Sequence, residues 1–231
     1  MLVSVIVLNY NGAHLLPECI ESLQKQDYKD IEIIVADNAS NDNSIQVAKS
    51  YGVKIHKMEE NRGFSFTNNS AAKIANGESI FFVNNDMKFE KNCISELVKE
   101  ISKDPDIFAV DPLQYNWDGT EVIHGGTAIK KSGLKNWFPF IYVDYLSVID
   151  KKIEVPWGCA GSLMVRKKMF EKLNGFDNTF FWMEKTWICV GGHGCRGGKQ
   201  YMFHLQGYIT KCLVAPKLSR TGEYLAAKRI F

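Results

Sequence analysis

The chain has 231 residues, of which 45% are hydrophobic, 23% charged and 12% aromatic, and its formal charge is +2. These values exclude a disordered, collagenous or disulfide-stapled chain and predict one globular domain with its own core. The longest apolar runs are strand-length, far short of the roughly 20 residues that cross a bilayer, and no secretory leader pattern opens the chain, so a cytoplasmic protein is expected. The six cysteines are scattered in a chain large enough to stabilise itself, which predicts free thiols.

The near-neutral total hides an asymmetry. Residues 1–182 carry 24 acidic and 20 basic side chains, whereas residues 183–231 carry 2 and 8, together with 7 of the 18 glycines. Neither a helical nor a strand period runs through that last segment.

Residues 2–8 form a near-continuous β-favouring run, the pattern of a parallel strand buried on both faces, and Asn9-Tyr10-Asn11-Gly12 ends it. Apolar residues from 15 to 23 follow at helical spacing, with Pro17 tolerated in the first turn. Residues 31–36 read as a second buried strand. The turn and cap formers of 37–43 open a helix over 44–50, and residues 53–56 predict a third strand. The alternation continues with a helix at 66–75, a strand at 79–83, a helix at 92–102 and a strand at 107–110. Strands at 122–129 and 162–165 and a short helix at 168–173 follow. Serial βα units imply an α/β fold with a mostly parallel sheet and right-handed crossovers.

Ligands of open parallel sheets bind beyond the carboxyl ends of the strands. The residues predicted there are Asn9-Tyr10-Asn11, Asp37-Asn38, Asn61-Arg62-Gly63-Phe64 and Asn84-Asn85-Asp86. Each alone suits a turn; four on one edge point to a site. No Gly-x-Gly-x-x-Gly and no P-loop follows the first strand, which argues against a dehydrogenase and a P-loop enzyme. Without a glycine cradle, a diphosphate would need a cation, and Asp86 beside two amides suits Mg²⁺ or Mn²⁺.

These segments, with Trp157-Gly158-Cys159-Ala160-Gly161-Ser162, occur in the order and spacing of family 2 glycosyltransferases, and the chain resembles their rhamnosyltransferase-like branch from residue 2 to 181. The resemblance implies a GT-A fold, an inverting mechanism and a divalent cation. It also implies a nucleotide-diphosphate sugar donor and a saccharide or lipid-linked acceptor in cell-surface polysaccharide or glycolipid synthesis. No nucleic-acid partner is implied, and the protein would work in the cytoplasm, with peripheral contact to the inner membrane face allowed. By position, Leu8, Asn9, Tyr10 and Asn11 would border base and ribose, Asp37 with Asn38 beside it would accept from the base, and Arg62 and Gly63 would lie near the donor. Asn84 and Asn85 would stand in the donor site and Asp86 would bind the metal. Trp157 and Gly161 would belong to the loop between donor and acceptor, with a core role for Trp157 an equal alternative. The halves would be 1–110 for the nucleotide sugar and 111–182 for the acceptor.

The resemblance breaks after Trp182. The family continues with a Glu-Asp-x-Asp-x-Cys segment whose acid pair supplies the general base, whereas this chain reads Met183-Glu184-Lys185-Thr186-Trp187-Ile188-Cys189. Back-translated and read two bases later, the same codons permit Gly-Glu-Asp-Val-Asp-Leu-Cys. Further on, Tyr201-Met202-Phe203-His204 permits Tyr-Val-Pro. Residues 183–231 therefore read as an out-of-frame, poorly ordered tail, and Glu184 is the weak remaining candidate for a base. A zinc site among Cys189, His193, Cys195, His204 and Cys212 lacks the paired C-x-x-C spacing. A non-catalytic nucleotide-sugar-binding protein is the alternative function. A nucleotidyltransferase would need a Gly- and Lys/Arg-rich loop after the first strand, and none is present.

Overall fold

The structure, a computed structural model, describes residues 1–120, 122–124, 129–130, 141–142, 153–155, 157–159, 161–178, 187–189, 211–214 and 227–229. Four strands, β1 (Val3–Asn9), β2 (Ile31–Asp37), β3 (Lys54–Lys57) and β4 (Ser79–Asn84), run parallel. The helices between them are α1 (Leu16–Gln24), α2 (Ser44–Ser50) and α3 (Gly63–Ile74). After a short β5 (Met87–Phe89) come α4 (Cys93–Ile101), β6 (Ile107–Asp111), β7 (Gln114–Tyr115), β8 (Val122–His124), β9 (Ile129–Lys130), β10 (Ile141–Tyr142), β11 (Ile153–Val155) and β12 (Trp157–Cys159). β13 (Ser162–Arg166) and α5 (Lys167–Lys172) complete the part up to residue 178.

Within 183–231 the described residues are three strands, β14 (Trp187–Cys189), β15 (Lys211–Val214) and β16 (Ala227–Arg229). β14 pairs with β12, β15 lies in the main sheet between β11 and β6, and β16 lies between β5 and β7. Such pairing uses main-chain groups that any sequence supplies. The rest of the tail, Glu184 and the cysteine and histidine side chains included, lies outside the described residues.

The main sheet has eight strands in the order β11-β15-β6-β13-β4-β1-β2-β3. Six of them, β6 to β3 in that order, form a mixed sheet flanked by helices. β13 is antiparallel to both neighbours, β4 and β6. Apolar periodicity identifies such a strand but carries no information about its direction; the other five run parallel, the mostly parallel sheet that the serial βα units imply.

Successive residues of β1 point to opposite faces. Val3, Val5 and Val7 pack with Leu16, Ile20 and Leu23 of α1 and Ile94, Leu97 and Ile101 of α4. On the other face Ile6 and Phe82 join Ala71 of α3, Ala75 just beyond its end, and Phe170 and Phe176. Helices cover both faces, which is why the strands read as unbroken apolar runs. The helix predicted at 66–75 begins instead at Gly63, because Asn38 Oδ1 accepts the Arg62 N–H at 2.9 Å and Asn61 Oδ1 accepts the Gly63 N–H at 3.0 Å. Side chains thereby satisfy donors that a helix start leaves open.

The amino-terminal edge is held by Glu32, 11% exposed. Its Oε1 accepts from Ser4 Oγ and Asn76 N, both at 2.5 Å, and its Oε2 from Lys54 Nζ at 2.5 Å and Asn76 Nδ2 at 3.2 Å. Burial works to raise its pKa, but the bonds from Lys54, Ser4 and Asn76 prevail and take it from 4.5 to about 2. Because the folded value lies below the unfolded one, this contribution is complete above pH 4.5 and fades as pH falls toward 2. Glu32→Gln should cost about 1–3 kcal/mol at neutral pH. Urea unfolding of both proteins should show that gap at pH 7 and little of it at pH 2.5; a gap independent of pH would contradict the assignment.

Candidate active site

Parallel β1, β2, β4 and β6 end on one edge of the sheet, which brings Asn9, Asp37, Asn84 and Asp111 to one side. Asn9 and Asp37 are register partners and fully buried. Asn9 Nδ2 donates to Asp37 Oδ1 at 3.0 Å and to Ser40 Oγ at 3.2 Å. Ser40 in turn donates from Oγ to Asp37 Oδ1 at 2.6 Å and from its N–H to Oδ2 at 3.0 Å. Asn9 Oδ1 accepts from Asn85 Nδ2 at 2.7 Å, and this bond ties the turn after β4 to the ends of β1 and β2. Gly12 is required beside it: a Cβ there would stand 2.0 Å from Asn85 Nδ2 and 2.6 Å from Asn9 Oδ1.

Two residues in the left-handed region face each other across the β1 and β2 ends, Asn11 at φ 50° and Ala39 at φ 62°. Such backbone is costly for alanine and persists only where surroundings impose it. Here Asn11 N donates to Ser40 Oγ at 2.9 Å and Asn41 N to Asn11 Oδ1 at 2.8 Å. Asp42 Oδ2 accepts the Ala13 N–H at 2.9 Å. Burial pushes the Asp42 carboxyl up, but bonds from Ser44 and the Ala13 N–H outweigh it and hold the group below the ordinary range.

Above this floor lies a cleft of about 430 Å³ lined by Leu8, Tyr10, His14, Leu15, Asn38, Phe64, Asn84, Asn85 and Asp86. Tyr10 is 45% exposed at its mouth. Seven of the residues singled out from sequence thus meet in one cleft, with Asn9 and Asp37 buried beneath it. Arg62 stands apart, its guanidinium 4.0 Å from the centroid of the Phe66 ring and 3.3 Å from Glu60. Gly63, φ 77°, is buried at the start of α3. Gly161 abuts the motif: its carbonyl accepts the Asn84 N–H at 2.9 Å, and a Cβ there would lie 3.1 Å from Asn84 Nδ2. Trp157 is described only as part of strand β12, and Glu184 lies outside the described residues.

Ser40, His14 and Leu15 were not singled out from sequence, and neither was Asp111. The Asp-x-x-Ser spacing of Asp37 and Ser40 is the local signal that could have found the first of these. Behind the cleft, Cys19 Sγ donates to Asn84 O at 3.7 Å, and burial together with the charge of Asp86 pushes its thiol pKa up, so it stays protonated. A second cavity of about 400 Å³ opens near Gln24, Tyr28, Glu32 and Lys54. Its polar side chains are already committed, Lys54 to Glu32, Tyr28 to Met1 O and Gln24 to Tyr51 O.

The cleft supplies an exposed aromatic ring, amides and one carboxylate. Oxygen donors of this kind fit Mg²⁺ or Mn²⁺. Among the described residues no group of three or more His, Cys, Asp or Glu could hold a metal ion by itself, so a cation would complete its shell from ligand and water.

The family model for Glycosyl transferase family 2 matches residues 4–174. Glycosyltransferase GlyG of Streptococcus pneumoniae is 33% identical over 126 residues, covering 52% of this chain and 41% of GlyG. The poly(ribitol-phosphate) β-N-acetylglucosaminyltransferase TarS of Staphylococcus aureus is 33% identical over 100 residues, covering 40% of this chain and 18% of TarS. The crystal structure of TarS 1–349 with UDP superposes with a TM-score of 0.58 at 22% identity, covering 78% of this chain and 52% of that one. The mannosyltransferase PcManGT of Pyrobaculum calidifontis, in complex with GDP-Man and Mn²⁺, gives 0.59 at 19% identity, covering 95% and 58%. The matches span less than half the length of these curated relatives. The fold is GT-A, and with the family model matching well over half of its length, the chain belongs to glycosyl transferase family 2.

Proposed function

We propose that this chain binds a nucleotide-diphosphate sugar with Mg²⁺ or Mn²⁺ in the 430 Å³ cleft, and that the in-frame gene product transfers the sugar, with inversion, to an acceptor hydroxyl. The observation that carries this is the Asn9–Asp37–Ser40–Asn85 network, which presents Asn84–Asp86 at the cleft beside exposed Tyr10. Tyr10 offers a ring face to a base, and Leu8 an apolar wall. Asn84 and Asn85 donate and accept toward the donor sugar and diphosphate, and Asp86 would hold the cation. When bound, the cation neutralises charge on the leaving diphosphate. The UDP and the GDP-Man with Mn²⁺ bound by TarS and PcManGT support a donor of this class. We infer the acceptor, a saccharide or lipid-linked glycan, and the rhamnosyltransferase-like branch from the resemblance of the motifs to that branch, with peripheral contact to the inner membrane face allowed.

The reading extends to the tail. A frame change after the codon for Trp182 removes the acid pair, so this chain holds donor without a base for the acceptor hydroxyl, as a donor-binding protein would. Residues 1–110 then serve the donor, 111–182 the acceptor, and 183–231 is anomalous.

Calorimetry with UDP and GDP in the presence and absence of Mn²⁺ should show cation-dependent binding that Asp86→Ala abolishes. Asp37→Ala should weaken even the metal-free nucleotide. Unchanged binding in both variants would sink the site assignment.

Gly12→Ala must break the Asn85–Asn9 bond or displace it. Nucleotide affinity should fall at least tenfold while the thermal midpoint moves by only a few degrees, and full affinity in a folded Gly12→Ala protein would be inconsistent with that bond's role.

Restoring the frame by one base after the codon for Trp182 should raise sugar transfer by about 10²–10⁴-fold, the usual worth of a general base. Donor consumption with a panel of nucleotide sugars and acceptors measures it. Equal turnover by the unrepaired chain would make Glu184 or another residue the base.

A further inference from the structure

Two separate anchors hold the short segment that enters β13. At one, Asp111 Oδ2 accepts the Cys159 N–H at 2.9 Å. At the other, Gly161 O accepts the Asn84 N–H at 2.9 Å, and the missing Cβ of Gly161 leaves room for the Asn84 amide. Ser162 then pairs with Val83 in β4. Cys159 and Gly161 are two residues apart, at most about 7 Å of chain, so displacement at one anchor is felt at the other. Asp111 itself is 2% exposed at the carboxyl end of β6, two strands from β4. Burying a carboxyl group is expensive unless its oxygens accept hydrogen bonds, and here one of them holds a main-chain donor of the segment beside the donor cleft.

We propose that Asp111 is a positioning residue: through Cys159 and Gly161 it locks the 157–161 segment against the Asn84–Asn85–Asp86 turn, so that the acceptor side and the donor cleft share one register. It need touch no ligand. The functional half of this inference rests on the nucleotide-sugar reading above; the structural half does not.

Cys159 supplies the probe, since it is a half-buried free thiol whereas Cys19 and Cys93 are fully buried. The full chain would be treated with N-ethylmaleimide and each cysteine read separately by peptide mass spectrometry, alone and with UDP or GDP plus Mn²⁺. Asp111→Ala should raise the Cys159 labelling rate at least fivefold, leave Cys19 and Cys93 protected, and abolish the slowing of Cys159 labelling that nucleotide confers on the parent. Asp111→Asn keeps an acceptor for the Cys159 N–H and should match the parent within twofold in both respects. The proposal is overturned if Asp111→Ala labels like the parent, or if Asp111→Asn labels like Asp111→Ala with the core thiols still protected. Should Asp111→Ala unfold, Cys19 and Cys93 will react too, and Asp111→Asn then decides by the same twofold criterion. If neither nucleotide slows labelling of the parent, the donor reading fails, while the contrast among the three unliganded proteins still decides the role of Asp111.

Discussion

The hydrogen bond between Asn9 and Asp37 is the constraint on which the site depends. A carboxylate at zero exposure needs donors. Asp37 takes them from the Asn9 amide and from both the hydroxyl and the N–H of Ser40. The Asn9 side chain is then used at both ends, because its carbonyl oxygen receives Asn85. One buried amide therefore joins the ends of β1 and β2 to the turn after β4, and the positions of Tyr10, Asn84 and Asp86 follow from it. An aliphatic residue at position 9 would leave a buried acceptor short of a donor and detach Asn85 at once.

That junction also explains the strained backbone. Asn11 and Ala39 have positive φ, and neither is glycine. Their turns are bolted together by reciprocal bonds, Asn11 N to Ser40 and Asn41 N to Asn11. Each turn imposes the conformation of the other, and together they hold two loops at the cleft edge without a glycine-rich sequence. The absence of a glycine cradle after β1 is thus made good by side chains: Asn, Ser and Asp perform the ordering that a nucleotide-binding glycine loop would perform with bare backbone.

The apolar runs of β1, β2 and β4 were legible because helices cover both faces of the sheet, and a strand buried on both sides is unmistakable in sequence. The site edge was legible for the related reason that polar residues ending such strands have nowhere else to point. Other features were not. The direction of β13 depends on how the chain returns after residue 153, which no local pattern encodes. The early start of α3 depends on Asn38, twenty-four residues before the N–H that it receives. Asp111 looked like the end of a strand, and its bond to the Cys159 N–H comes from a tertiary approach that the local sequence does not show. In each case the missing information is a contact between segments distant in sequence.

The composition of the cleft has a consequence for how donor and cation would bind. Among the described residues its lining holds one carboxylate, one imidazole and no lysine or arginine. A nucleotide diphosphate entering beside Asp86 meets a negative charge that no lining guanidinium or ammonium offsets, and in a partly desolvated cleft that repulsion is much larger than in water. A divalent cation entering alone finds one carboxylate, too few donors for a tight site. Under the proposed function each ligand would supply what the other lacks, so each would strengthen the binding of the other by the same factor. On the proposed reading the protein would recognise the cation–diphosphate pair as a unit, with Asp86 as the group that couples the two.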